Sequence, residues 1–457
     1  MNKYKLDFEK IRTDFKFKDN GLTHSQCDKF KLFPFAANEK TLVSDFNGVV
    51  GAFSRIISNK ELKNEFNSTQ FIEDIVDYVR EFEGATSKES LKDIISSMFI
   101  SNGSLVDFNI RTINYITSTN SEEKIARFIF SVLGSDELKL ELGKYYDADI
   151  ENILYKLILK ALPELKDKET SVENYCCYIP FIKDLFINDF KFLLQNEDLF
   201  KKSLKRFIEF YYFFYISQLS IKLGQFEKAD LENPDRVYFS LGWETISKNR
   251  TSYIGGWESL RVYVDSLFSH AINLEFLNHH NLDIQLGYKQ LFEILDENDE
   301  YDIGELINMY IQRRQEGISW GDFKVKRKDS GNTAFDKVYE LFEVIEYQFQ
   351  GKTSTRSRAN EAYRKWFIKF VQDNFGKRRG SLGYSLNLNE EDIIFLTKIC
   401  INNNEKLKLG ELFKEFEKRG VSFDRDSQMK IIQLYEKLNL LEKKSDSGDA
   451  QYVKSIL

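Results

Sequence analysis

The chain is poor in residues that interrupt, cross-link or catalyse. Its 457 residues include only 4 Pro, 4 Cys and 4 His. So few prolines leave helices uninterrupted, and apolar residues recur at helical spacing through most of the chain, so a mainly α fold is expected. Cys27, Cys176, Cys177 and Cys400 have no C-x-x-C spacing and imply neither a zinc knuckle nor a disulfide framework. Buried free thiols are expected instead. His24, His270 and the pair His279-His280 have no companion ligands at zinc-like spacing. Adjacent residues on a helix point apart, so the pair is read as a surface or loop feature with no metal. The start, Met1-Asn-Lys-Tyr-Lys5, has no apolar secretory core, and a cytoplasmic protein is expected. Long lipid-like runs are also lacking. The greasiest stretch, Phe207 to Leu223, contains Glu209, Gln218 and Lys222. A membrane span needs about 20 mostly apolar residues, so this run is read as a buried core helix with no membrane role.

Aromatics and charge are plentiful. Aromatic residues make up 15% of the chain, and 65 Lys+Arg stand against 72 Asp+Glu for a net charge of −7. That balance argues against whole-surface binding to DNA or membrane. The length suits two to four domains. Breaks suggest a mixed N-terminal segment (1–60), a helical domain (61–230), a second helical region (231–350), a basic linker and helix (351–385) and a C-terminal module (386–457). In the first helical domain, Phe71, Ile72, Ile75, Val76 and Val79 form one stripe, and Leu91, Ile94, Ile95, Met98 and Phe99 another. The interval 317–331 is polar and basic, with Lys324, Lys326, Arg327 and Lys328. No repeat at a solenoid period is present.

The C-terminal module is the most readable part. Glu390 to Ile401 has acids in its first turn and an apolar stripe. Leu409, Leu412, Phe413 and Phe416 define a second helix, closed by Gly420. Asp424 or Asp426 caps a third, with Met429, Ile432, Tyr435 and Leu438 as its expected inner face. Two strand-like runs flank Asp446-Ser-Gly-Asp449. Three helices plus a β-hairpin is the layout of a winged helix-turn-helix, so the expected fold is a multi-domain helical protein ending in that module. In DNA-reading versions the last helix enters the major groove, where Arg425, Gln428, Lys430 and Gln433 would reach bases. Yet the module has 12 basic and 13 acidic residues, so a protein-docking role is equally open.

The positive charge lies just upstream. Between Lys352 and Gly380 stand Lys352, Arg356, Arg358, Arg364, Lys365, Lys369, Lys377, Arg378 and Arg379, against Glu361 and Asp373. This local reversal is the electrostatic footprint expected for a polyanion such as DNA, with a solvated helix face as the plainer alternative. Tyr363, Trp366, Phe367, Phe370 and Val371 fall on one side of a helix, and Arg364, Lys365, Lys369 and Gln372 on the other.

Apparent catalytic motifs fail on spacing. Gly351-Lys352-Thr353 lacks the opening glycine of a phosphate loop, since Glu346 stands there. Asp296 to Asp302 resembles the start of a calcium loop, but Tyr301 and Ile307 replace its glycine and glutamate. Glu164-Leu-Lys166 is half of a nuclease motif, and Glu-x-Lys recurs at Glu61 and Glu137. No catalytic residue, cofactor or small-molecule substrate is assigned, and an enzyme is not expected. A divergent metal-dependent nuclease in residues 60–350 is a rival reading.

The run Leu438 to Leu457, the Glu-Leu-Phe-Lys-Glu-Phe-Glu-Lys-Arg-Gly core of Leu407–Arg425, Leu32-Phe-Pro-Phe35 and Asp45-Phe-Asn-Gly-Val-Val-Gly-Ala-Phe53 resemble the DptG family of DNA phosphorothioation-dependent restriction proteins. The resemblance is strongest over the last 80 or so residues. It implies a bacterial antiviral defence system in which DNA lacking sulfur marks is attacked. For such a mark, Trp366 beside Arg364 and Lys365 would be one apolar cup, although packing explains it more simply. The implied partners are DptF-type and DptH-type subunits and DNA, and this chain would be a non-catalytic, DNA-contacting structural subunit. A protein-only scaffold of the same complex is the alternative. The motifs carry no known chemistry, so no active-site residue transfers.

Overall fold

A computed structural model describes the chain except residues 1–2, 19–20, 25–28, 35–41, 64–65, 80–83, 85, 102, 107, 148, 169–174, 314–317, 351–354, 444–450 and 457, and excludes the side chains of 147, 313, 350 and 355–359. It is 62% helical with a few small sheets, so the mainly α class holds. Two compact units form. One comprises Asp45–Glu173 and Lys183–Tyr212, the other Met1–Ser44, Asn174–Ile182 and Phe213–Leu457. Neither is a single stretch of chain.

The first unit is built round the helix Asn47–Ser58. Every residue from Gly48 to Ile57 is buried. Gly51 permits this closeness, because a Cβ there would lie 2.4 Å from the Ile116 carbonyl oxygen. Phe53 packs edge-on against Phe130, Phe186 and Phe190. Arg55 is buried with no ion pair among the described residues and donates to Asn114 O, Ile116 O and Ser118 Oγ at 3.0, 2.6 and 2.6 Å. A satellite core gathers Phe71, Ile75, Ile95, Phe99 and Ile158. Ile94 and Met98, read as part of that stripe, are about half exposed.

In the second unit, the C-terminal half of helix Glu197–Gln225 supplies the core. Phe213 to Leu223 is wholly buried. Two of its polar residues meet Asp235: Gln218 exchanges hydrogen bonds with the Asp235 backbone, and Lys222 pairs with the Asp235 side chain at 2.6 Å. Among the described residues no helix is long and apolar enough to cross a membrane.

All four histidines are buried, which corrects the surface reading of His279-His280. His279 lies between Glu275 O and Asp14 Oδ2 at 2.7 and 3.1 Å, and His280 Nδ1 accepts from the Leu282 N–H. Their positions at a helix end let two adjacent rings diverge and still both be enclosed. Asp296 to Asp302 is the start of helix Asp299–Arg313, and the Asp299 carboxylate accepts from the Asp296 N–H.

The last residues form helix Glu390–Ile401, strand Lys406–Lys408, helix Leu409–Lys418, strand Val421–Ser422, helix Arg425–Lys437, and strands Leu441–Lys443 and Gln451–Lys454. Asn389 and Asp392 make a capping box on the first helix. Gly420 has φ +73°, as a helix-ending glycine should. Gln451–Lys454 is the middle strand of an antiparallel sheet, between Leu441–Lys443 and Lys406–Lys408. The turn 446–449 lies outside the described residues. The inner face of the last helix differs from expectation. Ser427, Ile431, Leu434 and Tyr435 are buried, while Met429 and Leu438 are 52% and 43% exposed. The start of the helix is pinned from outside the module, which rotates the apolar stripe away from the spacing-derived face.

The module is also stitched to the body of its unit by two parallel pairings. Val421 and Ser422 pair with Val237 and Tyr238, and Leu388 pairs with Leu241. The strand Tyr384–Leu388 pairs on its other side, antiparallel, with Gly376–Arg378.

Candidate nucleic-acid interface

The basic helix Thr355–Asn374 buries the expected stripe: Tyr363, Trp366, Phe367, Phe370 and Val371 are all under 5% exposed. Trp366 therefore cannot form an open cup for sulfur. The cations on the opposite face have intramolecular partners. Arg364 Nε is 3.2 Å from Asp265 Oδ1. Lys365 pairs with Glu361 at 3.4 Å and Lys369 with Asp373 at 2.7 Å, each one turn along the helix. Both lysines are about half exposed, and such pairs contribute only ~0.3–0.5 kcal/mol. A phosphate could displace them at little cost.

The residues after the helix are bound more firmly. Lys377 Nζ donates to Gly242 O. The Arg379 guanidinium donates to Glu244 O, Leu241 O and Ser385 Oγ at 2.9, 3.0 and 3.1 Å. It also reaches Ser240 Oγ and Asn387 Oδ1, both at 3.3 Å. It ties the strands Ser240–Leu241 and Tyr384–Leu388 together, and burial lowers its pKa. Arg378 points outward between these two, exposed, with no ion pair among the described residues. Lys352, and the side chains of Arg356 and Arg358, lie outside the described set. The cations of the band are thus unequal. Arg379→Ala is expected to cost about 1–3 kcal/mol of stability through its orphaned acceptors. Arg378→Ala should stay within about 0.5 kcal/mol. Urea unfolding of the two variants checks the contrast.

On the last helix, Arg425 is exposed, Gln428 Nε2 turns back to Phe423 O at 3.2 Å, and Lys430 Nζ meets Gln433 Oε1 at 3.3 Å. Arg425 is thus the one read-out candidate of the four that has no such contact among the described residues.

A cluster invisible to sequence spacing governs this helix end. Asp424 caps it, accepting from the Ser427 N–H at 3.0 Å. Arg250, 174 residues earlier, grips the same carboxylate through Nη2 and, at 3.0 Å, through Nε. Its Nη1 pairs with Glu244. Ser427 Oγ donates to Glu244 Oε2 at 2.9 Å and accepts from Arg250 Nη2 at 3.0 Å. The Ser252 N–H adds a bond to Asp424 at 3.2 Å. Arg250, Glu244 and Asp424 have side-chain exposures of 14%, 4% and 12%. Asp424 could be read as a cap, but nothing in the loop Glu244–Arg250 announces its partners.

Burial would raise the Asp424 pKa, but Arg250 and the N–H groups of Ser427 and Ser252 hold it well below the usual carboxylate range. A depressed carboxylate stabilises the fold above its unfolded pKa of about 3.9, and that contribution fades as pH falls. The protection of amides in 421–437, with the intrinsic pH dependence of exchange divided out, is therefore expected to be unchanged from neutral pH to about 5 and to fall below about 4. Asp424→Asn should remove the part of that fall that Asp424 causes.

Among the described residues no group of three or more His, Cys, Asp or Glu side chains is placed to hold a metal ion. Glu164 is exposed. Gly351-Lys352-Thr353 lies outside the described residues. No protein-family model matches the chain, and no curated protein does.

Proposed function

We propose that the chain is a non-catalytic structural subunit of a DptF/DptG/DptH-type restriction complex, and that its C-terminal module is a winged helix-turn-helix used for protein docking. The complex itself follows from the sequence resemblance alone. The observation that carries the docking role is the Arg250 cluster. DNA-reading helix-turn-helix modules present the N-terminal residues of the last helix to base edges. Here Glu244, Arg250 and Ser252 occupy that end. What is left outward is Arg425, Asp426, Met429, Lys430, Glu436, Lys437 and Leu438, a mixed apolar and polar face whose charges nearly cancel. Co-purification with DptF-type and DptH-type partners tests the reading. Met429→Glu should abolish recovery of the partners while the isolated chain stays folded; undiminished recovery would reject this face.

A second reading, direct contact with the DNA backbone, is favoured by Arg378 and Arg425, both exposed and without ion pairs among the described residues. Arg378→Glu should then weaken duplex retention and flatten its salt dependence by about one unit of slope. Equal retention by the variant counts against it.

A further inference from the structure

A further set of open cations lies outside the band upstream of the module. Residues 323–330 carry no helix or strand. Within that run Lys324, Lys326 and Arg327 are exposed, and none is ion-paired among the described residues. Lys324, Val325 and Arg327 make no hydrogen bond there either, so their backbone N–H groups are also free. The run is held from beneath where Glu343 Oε2 accepts from the Lys326 N–H at 2.8 Å, and at its end where Ser330 N–H and Oγ donate to Asp336 at 2.9 and 2.7 Å. Lys328 turns inward, with its ammonium 4.1 Å from the Tyr339 ring centroid. Asp322 precedes the run and Asp329 lies within it, where it is engaged by the Gly331 N–H.

An aromatic platform adjoins these cations. Trp320, Phe323 and Tyr347 form a three-ring cluster with centroids 5.0 to 5.9 Å apart. All three are only partly buried, whereas most aromatic clusters of this chain lie in the core. Tyr347 is anchored through its hydroxyl to Ser319 O at 3.1 Å. Rings beside unpaired cations and free N–H donors answer the two faces of a single-stranded nucleic acid. Bases offer π surface for stacking, and phosphates offer charge and acceptors. An acidic polypeptide would use the cations but leave the rings idle. A duplex keeps its bases stacked and hides them from the platform.

We propose that Trp320, Phe323 and Tyr347, together with Lys324, Lys326 and Arg327, form a binding strip for single-stranded nucleic acid. The strip is independent of the docking face on the last helix and of the restriction-complex reading. The test is fluorescence anisotropy of the full chain with a labelled oligothymidylate of about 20 nucleotides across a salt series. The triple reversal K324E/K326E/R327E should reduce the salt slope by about two, the value for three lost contacts to a single strand. Trp320→Ala should weaken binding about tenfold, and Trp320→Phe should restore most of it. Because the reversed side chains are exposed and unpartnered, an unchanged circular dichroism spectrum is expected. Failure of the wild-type chain to bind, or equal affinity of the triple variant, overturns the strip. Equal affinity for a duplex of the same length, or competition by polyglutamate at matched charge, overturns its assignment to single strands.

Discussion

Replacing Arg250 with alanine should remove about 3–5 kcal/mol of stability, among the largest single-residue losses in this chain. The magnitude comes from what is left behind. Glu244 and Asp424 are 4% and 12% exposed, and each would lose its cation while staying enclosed. Taking an ionised carboxylate out of water without a partner costs several kcal/mol, far more than the net gain from forming the pair. Ser427 keeps its bond to Glu244, so helix Arg425–Lys437 would start with a frayed first turn rather than none. Urea unfolding gives the loss, and Arg250→Ala/Asp424→Asn/Glu244→Gln should recover part of it by removing both orphaned charges. A loss under about 1 kcal/mol would mean that the cluster is solvent-screened and not a lock. The variant also bears on function. The two orphaned carboxylates should also repel phosphate, so Arg250→Ala is expected to bind duplex no better than the parent.

Local signals made the helices legible. Period, caps and breakers marked Glu390–Ile401, Leu409–Lys418 and Arg425–Lys437 closely, because each begins or ends at a residue whose side chain or φ decides the matter: Asn389, Asp424, Gly420. The burial of Phe213–Leu223 and of the Trp366 stripe was equally readable from hydropathy. Pairings across long sequence separations were not. Strand Lys406–Lys408 is two-thirds lysine, and only its place beside Gln451–Lys454 makes it a strand. The parallel contacts of Val237–Leu241 with Val421 and Leu388 depend on where the chain folds back, which no local pattern encodes. The charge run 352–380 was counted correctly, but counting says nothing about partners. Asp265, Gly242 and Glu244 lie more than 90 residues upstream of the cations they receive. The open cations at 324–327 looked weaker in sequence only because they are fewer.

Gly420 joins both kinds of information, and its substitution is the second large effect expected. Its φ of +73° is a conformation that a Cβ makes costly, by ~1–2 kcal/mol. Tertiary packing adds to this. A Cβ at Gly420 would lie 2.6 Å from the Phe214 ring, which belongs to the buried part of helix Glu197–Gln225. Phe214 is 2% exposed and has little room to retreat, and overpacking of this kind costs a further ~1–3 kcal/mol. Gly420→Ala is therefore expected to lose about 2–5 kcal/mol in urea unfolding, the sum of the two. In a Phe214→Leu background, Gly420→Ala should cost only the backbone share, measured against Phe214→Leu alone. If it costs as much there as in the parent, the ring is not the obstacle. If the single variant loses under about 1 kcal/mol, neither is. Because Val421 begins the parallel pairing with Val237, the same substitution should speed hydrogen exchange across 421–437 more than across 390–401. The module would then loosen first where its last helix meets the body, which is also where the Arg250 cluster holds it.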